Sequence, residues 1–220
     1  MWRAPALRRG ALVLAVLPGL AAAGAGLPWR SLVVLPGLVA AGGGLLFGIN
    51  AFCLDASGAL WLASLPHSPA LVARSKAIVT GETVLAGVVI AVVSGSVRAV
   101  GHPSLAEVVA IGSSGVACCL LVTAVCLSSS VKRPYRANLV GPRDAVAPPG
   151  ALVIASARLA FPAALVGLVL EGSAQTGVAW FPALLALPVA VLSGLWIWVS
   201  LGRYDRPVVR ARIVHTVAAG

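Results

Sequence analysis

The sequence predicts an all-α, polytopic membrane protein with six transmembrane helices and with both the N-terminus and the C-terminus in the cytoplasm. Three observations lead to this fold class: long apolar runs, few charged residues, and basic residues that alternate in number from one loop to the next. Apolar residues make up 60% of the 220-residue chain and charged residues only 10%, and the mean hydropathy is +1.01. This composition excludes an ordinary soluble globular domain.

Six stretches are long enough to cross a bilayer, because a hydrocarbon core of about 30 Å needs roughly 20 mostly apolar residues per helix. The predicted spans cover residues 11–28, 31–54, 77–97, 105–127, 151–170 and 178–201. No hydrophilic stretch predicts a separate soluble domain. Residues 1–220 are therefore expected to form a single transmembrane domain.

The basic residues predict the orientation of these spans. Thirteen of the 16 Lys and Arg residues fall in the N-terminal tail, the loops 55–76 and 128–150, and the C-terminal tail, whereas the other loops hold only Arg30 and Arg98. By the positive-inside rule, the arginine-rich segments are cytoplasmic. We expect a multi-pass protein of the plasma (inner) membrane whose net charge of +10 attracts anionic lipids, not nucleic acid.

The first span has a second interpretation. Arg8 and Arg9 precede an apolar run that ends in small residues at 21–25, a pattern also typical of a cleaved secretory signal peptide. We expect a retained span, because the run continues to Pro28 and is long enough to cross the membrane. Cleavage would leave five spans and an external mature N-terminus.

The loop between spans two and three has the most specific pattern in the chain. It contains an acidic residue and a glycine, a short Leu-rich helix, a proline-containing break, and a second helix that carries bases. Ser68 as N-cap and Pro69 as first helical residue predict that this second helix runs through Arg74 and Lys76 into the third span. In the same way, prolines 148 and 149 predict the start of the fifth helix.

This pattern resembles the first cytoplasmic loop of ABC-2-type ABC transporter permeases, which forms the coupling region docked on an ATPase subunit. The residues that carry the resemblance are Asp55, Gly58, Leu60, Leu62, Leu65, Pro66, Ser68, Pro69, Leu71, Arg74 and Lys76. We call residues 55–76 the coupling segment and add Trp61 to its expected docking surface. The alternative is an ordinary connection with an interfacial tryptophan.

The resemblance implies a permease subunit, typically of an exporter, that acts as a homodimer or with a second permease half. It is similar to the C-terminal six-span half of large actinobacterial permeases, so a half-size or truncated relative is expected. ATP hydrolysis would belong to a separate cytoplasmic ABC ATPase subunit, because the two lysines, Lys76 and Lys132, are followed by alanine and arginine and cannot complete a Walker A loop. We expect no catalytic residue and no cofactor in this chain.

Cysteines and intramembrane charges complete the predicted sites. The four cysteines lie in or beside apolar runs without metal-ligand spacing, which favours packing and no metal. Glu82 and Arg158 fall at a similar depth, roughly 8–11 Å into their spans at 1.5 Å per residue, which predicts an interhelical ion pair. Snorkelling of Arg158 to headgroups, or a place for these charges along a transport path, are the alternatives.

Two other functional classes stay open. The sequence Gly-Ser-Ser-Gly at 112–115 resembles the nucleophile motif of rhomboid intramembrane proteases, but no histidine falls within a span to act as base. Small residues at a helix contact explain that motif better. A secondary carrier or a non-transporting membrane scaffold is the further alternative, although no internal repeat between the two halves supports a carrier.

Overall fold

The computed structural model describes residues 5–55, 57–135 and 148–218, and all regular secondary structure in these ranges is helical. The helices are α1 (Pro5–Gly24), α2 (Leu35–Gly43), α3 (Ser57–Ser64), α4 (Pro69–Ser96), α5 (Leu105–Lys132), α6 (Pro149–Ala174), α7 (Phe181–Tyr204) and α8 (Pro207–Ala218). A 3₁₀ turn at Trp29–Val33 precedes α2, and a π-helical turn at Gly44–Gly48 extends it. The predicted all-α class is confirmed.

Five helical segments in the described ranges are long and apolar enough to cross a membrane: Trp29–Gly48, α4, α5, α6 and α7. The chain is therefore a membrane protein. The first predicted span corresponds to α1, whose apolar part, Arg9–Gly24, is shorter than these five. The structure therefore supports five of the six predicted spans, and α1 is a shorter apolar helix.

The second span ends earlier than predicted, at Gly48 instead of residue 54, and the chain from 49 to 55 runs in turns. A side chain anchors these turns. Asn50 Nδ2 donates to the carbonyl of Tyr135 at 2.7 Å, and Asn50 Oδ1 accepts from the Tyr135 N–H at 3.2 Å. Phe52 N also donates to Ser130 Oγ at 3.0 Å. One backbone group of the turns, the Phe52 N–H, is thus bonded to a side chain of α5, whereas the N–H groups of Ala51 and Cys53 donate to the nearby carbonyls of Gly48 and Asn50.

The third span belongs to a continuous 28-residue helix that begins at Pro69, as the Ser68-Pro69 pattern predicts. The fifth predicted span likewise lies in a helix, α6, that begins at Pro149. Proline is well tolerated in a first helical turn, because its missing N–H has no intrahelical partner there.

The centre of the bundle is formed by α2 and α5, which are mostly buried, whereas α4, α6 and α7 keep most of their apolar surface exposed. Each of α4 and α6 packs against both central helices, and α1 packs on α4. Glycines allow the closest approaches: a Cβ on Gly37 of α2 would lie 2.6 Å from the carbonyl oxygen of Ala163 in α6. Exposed leucine, valine and isoleucine side chains on the outer helices are typical of a surface that faces lipid.

Three short turns connect helices at one end of the bundle. Each contains a glycine with positive φ, namely Gly26, Gly101 and Gly177, a conformation that other residues adopt only at a cost. Trp29 Nε1 donates to the carbonyl of Gly101 at 3.1 Å and so ties the first two turns together.

The opposite end carries α8, for which the sequence predicts only a basic C-terminal tail. This helix follows a turn after α7 and packs against α3. Arg212 Nη2 donates to the carbonyl of Val131 at 2.6 Å, near the end of α5. Ile213 is buried in a small apolar cluster with Phe52 and Leu127. The C-terminal segment is therefore part of the packed structure.

Candidate partner-docking surface

The short helix α3 presents an exposed apolar face. Leu60 and Leu65 are exposed, and Trp61 keeps 68% of its surface accessible. Leu62 is half-buried and points toward the body of the protein, where it lines a small cavity. An eight-residue helix is only marginally stable by itself, so its neighbours must hold it in place.

An ion pair closes the coupling segment. Lys76 Nζ lies 2.5 Å from Asp55 Oδ2, and both side chains are half-buried. The carbonyl of Asp55 also accepts the N–H of Gly58 at 2.9 Å at the start of α3. Asp55 therefore links α3 to α4 through its side chain and its backbone. The sequence pattern named both residues of the pair, although it did not predict that they contact each other.

The link between α3 and α4 is extended. The ring of His67 places Nδ1 2.8 Å from the carbonyl oxygen of Leu65, and Pro66 between them is exposed. Arg74 and Leu71 project from the first turns of α4 into the exposed surface, and Arg74 has no ion-pair partner among the described residues. The exposed face thus continues from α3 across the link onto α4.

The C-terminal helix α8 packs behind this surface, on its inner side. A cavity of about 230 Å³ lies between α3, the link and α8, and Leu62, Pro66, Tyr204 and Arg210 are among its lining residues. The rings of Phe52 and Tyr204 stack with centroids 4.3 Å apart. Arg210 Nε is buried without a hydrogen-bond partner among the described residues.

Beneath the surface lies Cys53, in the turns that follow the second span. Its thiol is fully buried, and burial raises the pKa of Cys53 to about 11, an effect that the nearby Lys76 partly opposes. A neutral, buried thiol of this kind is unreactive. The four cysteines are all buried and unbridged.

Glu82 and Arg158 are not brought together. Glu82 is exposed on α4 and Arg158 is exposed on α6, and the one ion pair in the described part of the chain joins Asp55 to Lys76. The expected interhelical pair does not form within the chain, because α2 and α5 lie between the two helices. Arg158 instead lines a cavity between α5, α6 and α7.

The Gly-Ser-Ser-Gly motif lies at a helix contact. Ser114 is buried, and its Oγ donates to the carbonyl of Val33 at 2.8 Å. This bond joins the middle of α5 to the start of the second span. The three histidines lie outside the five long spans, so none is positioned to take a proton from Ser114.

Comparison with known proteins identifies no family for this chain. No family model, no curated protein and no solved structure matches the chain.

Proposed function

We propose that the chain is the membrane-spanning permease subunit of an ABC transporter, most simply an exporter, driven by a separate cytoplasmic ATPase. In this proposal α1 is a sixth span, both termini are cytoplasmic, and the subunit acts in the plasma membrane as a homodimer or with a second permease half. The observation that carries it is the placement of α3: an exposed apolar helix, held by an ion pair, directly between two membrane spans.

The contacts of α3 suit a mechanical role. A partner that moves α3 would act on α4 through the Asp55–Lys76 pair and on α7 through the adjoining α8. The exposed Trp61 is the sort of aromatic anchor that dominates protein interfaces. Such coupling requires that the partner favour one of two arrangements of the spans.

The proposal for α1 rests on its length and its two faces. The helix is 20 residues long and extends about 30 Å at 1.5 Å per residue, and its apolar part, Arg9–Gly24, covers about 24 Å of the hydrocarbon core of about 30 Å. One face carries exposed Leu12, Val13, Leu17 and Leu20. On the other face Gly19 lies against the backbone of Ala91 in α4. An apolar outer face and a glycine contact to a long span are what a membrane-embedded helix requires.

The test is co-purification from the native host's membranes in mild detergent. We expect tagged wild-type chain to bring down an ATPase with a Walker A loop, identified by mass spectrometry. Trp61→Ala should lose it. Trp180→Ala is the matched control, because Trp180 is 65% exposed but lies in the turn before α7, at the other end of the bundle. Absence of any ATPase with the wild type, or equal loss in both variants, would contradict the proposal and favour a carrier or a scaffold.

Orientation is tested separately by impermeant thiol labelling of intact cells, because the four native cysteines are buried. Ser64→Cys and a cysteine added at the N-terminus should be protected, and His102→Cys should react. If the N-terminal cysteine reacts while Ser64→Cys is protected, the N-terminus lies outside the cell and α1 does not cross the membrane as proposed.

A further inference from the structure

A second cavity, of about 540 Å³, opens between α5, α6 and α7, away from the coupling segment. One face of α5 lines it with residues spaced three or four apart, from Leu121 to Lys132, and one face of α6 lines it from Ala151 to Pro162. Trp196 contributes from α7. The spacing follows the helical period, so the cavity is a groove between two helix faces that runs along the bundle.

The charge of this groove has one sign. Lys132, Arg133 and Arg158 line it, and none of the described lining residues is acidic. None of the three cations forms an ion pair within the described part of the chain. Ser128 and Ser129 add hydroxyl groups beside them. The groove therefore offers several hydrogen-bond donors and three positive charges to a ligand that supplies negative charge.

The rest of the groove is apolar. Leu121 and Val125 on α5 and Pro162 on α6 line it farther from the end of α5 that bears Lys132, and Ile154 lies one turn before Arg158 on α6. Ile154 and Trp196 are also exposed on the outer surface of the bundle, so the groove is open on the side that would face lipid. A free phosphate ion would use only the charged residues and would leave this wall without a partner.

From this arrangement we infer that the groove binds one anionic phospholipid, with its phosphate at Arg158, Lys132 and Arg133 and an acyl chain along α5 and α6. The charge complementarity selects an anion and the apolar wall selects an amphiphile. Arg158, a charge within an apolar helix, thereby gains a counter-ion from the lipid instead of from Glu82. The inference holds whether or not an ATPase is the partner of α3.

The experiment is native mass spectrometry of the full chain in detergent, titrated with dioctanoyl-phosphatidylglycerol, with dioctanoyl-phosphatidylcholine and with inorganic phosphate. We expect one phosphatidylglycerol to bind the wild type at least about tenfold more tightly than either other probe, the ratio that one additional charge-assisted hydrogen bond supplies. Equal binding of the two lipids, or displacement of phosphatidylglycerol by an equal concentration of phosphate, would overturn the inference.

Variants locate the site. Arg158→Gln, and Lys132→Gln combined with Arg133→Gln, should each weaken phosphatidylglycerol binding by about tenfold, whereas Arg158→Lys should retain most of it. Arg98→Gln is the control for lost charge, because Arg98 is exposed in the turn after α4, at the other end of that helix from Lys76. If Arg158→Gln does not fold, the variant with both Lys132→Gln and Arg133→Gln tests whether the groove binds the lipid. The inference is wrong if the control weakens binding as much as the groove variants do.

Discussion

The contact between α2 and α6 gives a prediction whose size follows from the geometry. In Gly37→Ala the new Cβ would lie 2.6 Å from the carbonyl oxygen of Ala163 and 3.1 Å from its carbon. These are backbone atoms of a neighbouring helix, so they cannot move aside as a flexible side chain does. Overpacking of this kind costs about 1–3 kcal/mol.

Gly194→Ala in α7 is the matched control, because a Cβ there has no heavy atom within 4 Å. Gly194→Ala gains helix propensity, up to about 1 kcal/mol, and Gly37→Ala gains no more than that in the first turn of α2. The comparison therefore leaves the packing cost as the main difference between the two variants. Since 1 kcal/mol moves Tm by about 2–4 °C in a chain of this size, Gly37→Ala should unfold roughly 2–12 °C below Gly194→Ala.

The assay is thermal unfolding in detergent with a thiol-reactive fluorophore, since the four buried cysteines become reactive only when the bundle opens. If the two variants unfold at the same temperature, α2 and α6 are not packed as closely as described and the reasoning fails.

Three further outcomes are expected. Asp55→Asn should cost less than about 1 kcal/mol, as partly exposed ion pairs do, yet under the proposed function it should weaken co-purification of the ATPase; the exchange Asp55→Lys with Lys76→Asp should restore co-purification, and no recovery would argue against the pair. Ser114→Ala should lower stability by about 1 kcal/mol, because the carbonyl of Val33 loses its donor; an unchanged unfolding curve would contradict this. Cys53, with its pKa raised to about 11 by burial, should alkylate far more slowly at pH 8 in the folded chain than in the unfolded chain, as measured by mass spectrometry.

The long helices could be predicted from the sequence because two strong signals agree there. Apolar length places a span, and Ser68-Pro69 or Pro148-Pro149 marks where the helix begins. Where only one of these signals is present, the observed end of the helix differs from the predicted end. The run 31–54 is apolar to its end, but Asn50 bonds to the backbone of Tyr135 and the span stops at Gly48. That bond joins residues 85 apart, and no local pattern encodes it.

One local structural motif was not predicted although the sequence contains its pattern. Ser104 and Glu107 form a capping box at the start of α5: the Ser104 N–H donates to Glu107 Oε2 at 2.8 Å and the Glu107 N–H donates to Ser104 Oγ at 3.2 Å. A serine followed three residues later by glutamate before an apolar run predicts this arrangement. Helix α8 was missed for a different reason. Its one buried residue, Ile213, is buried by contacts with distant parts of the chain.

The separation of Glu82 from Arg158 shows that a sequence predicts the depth of a charge in the membrane but not which charge lies beside it. Counting residues from the ends of two spans gives the depth of each charge, and those depths agree. Depth, however, leaves the neighbours of each helix undetermined, and in this bundle α2 and α5 lie between α4 and α6. A charge at the centre of a span costs about 2.5–3.5 kcal/mol without compensation, and for Arg158, which is exposed nearer the start of α6, a headgroup or another counter-charge lowers that cost. The groove that Arg158 lines holds two more cations and no acid among the described residues, so the counter-charge that we infer there is that of an anionic lipid.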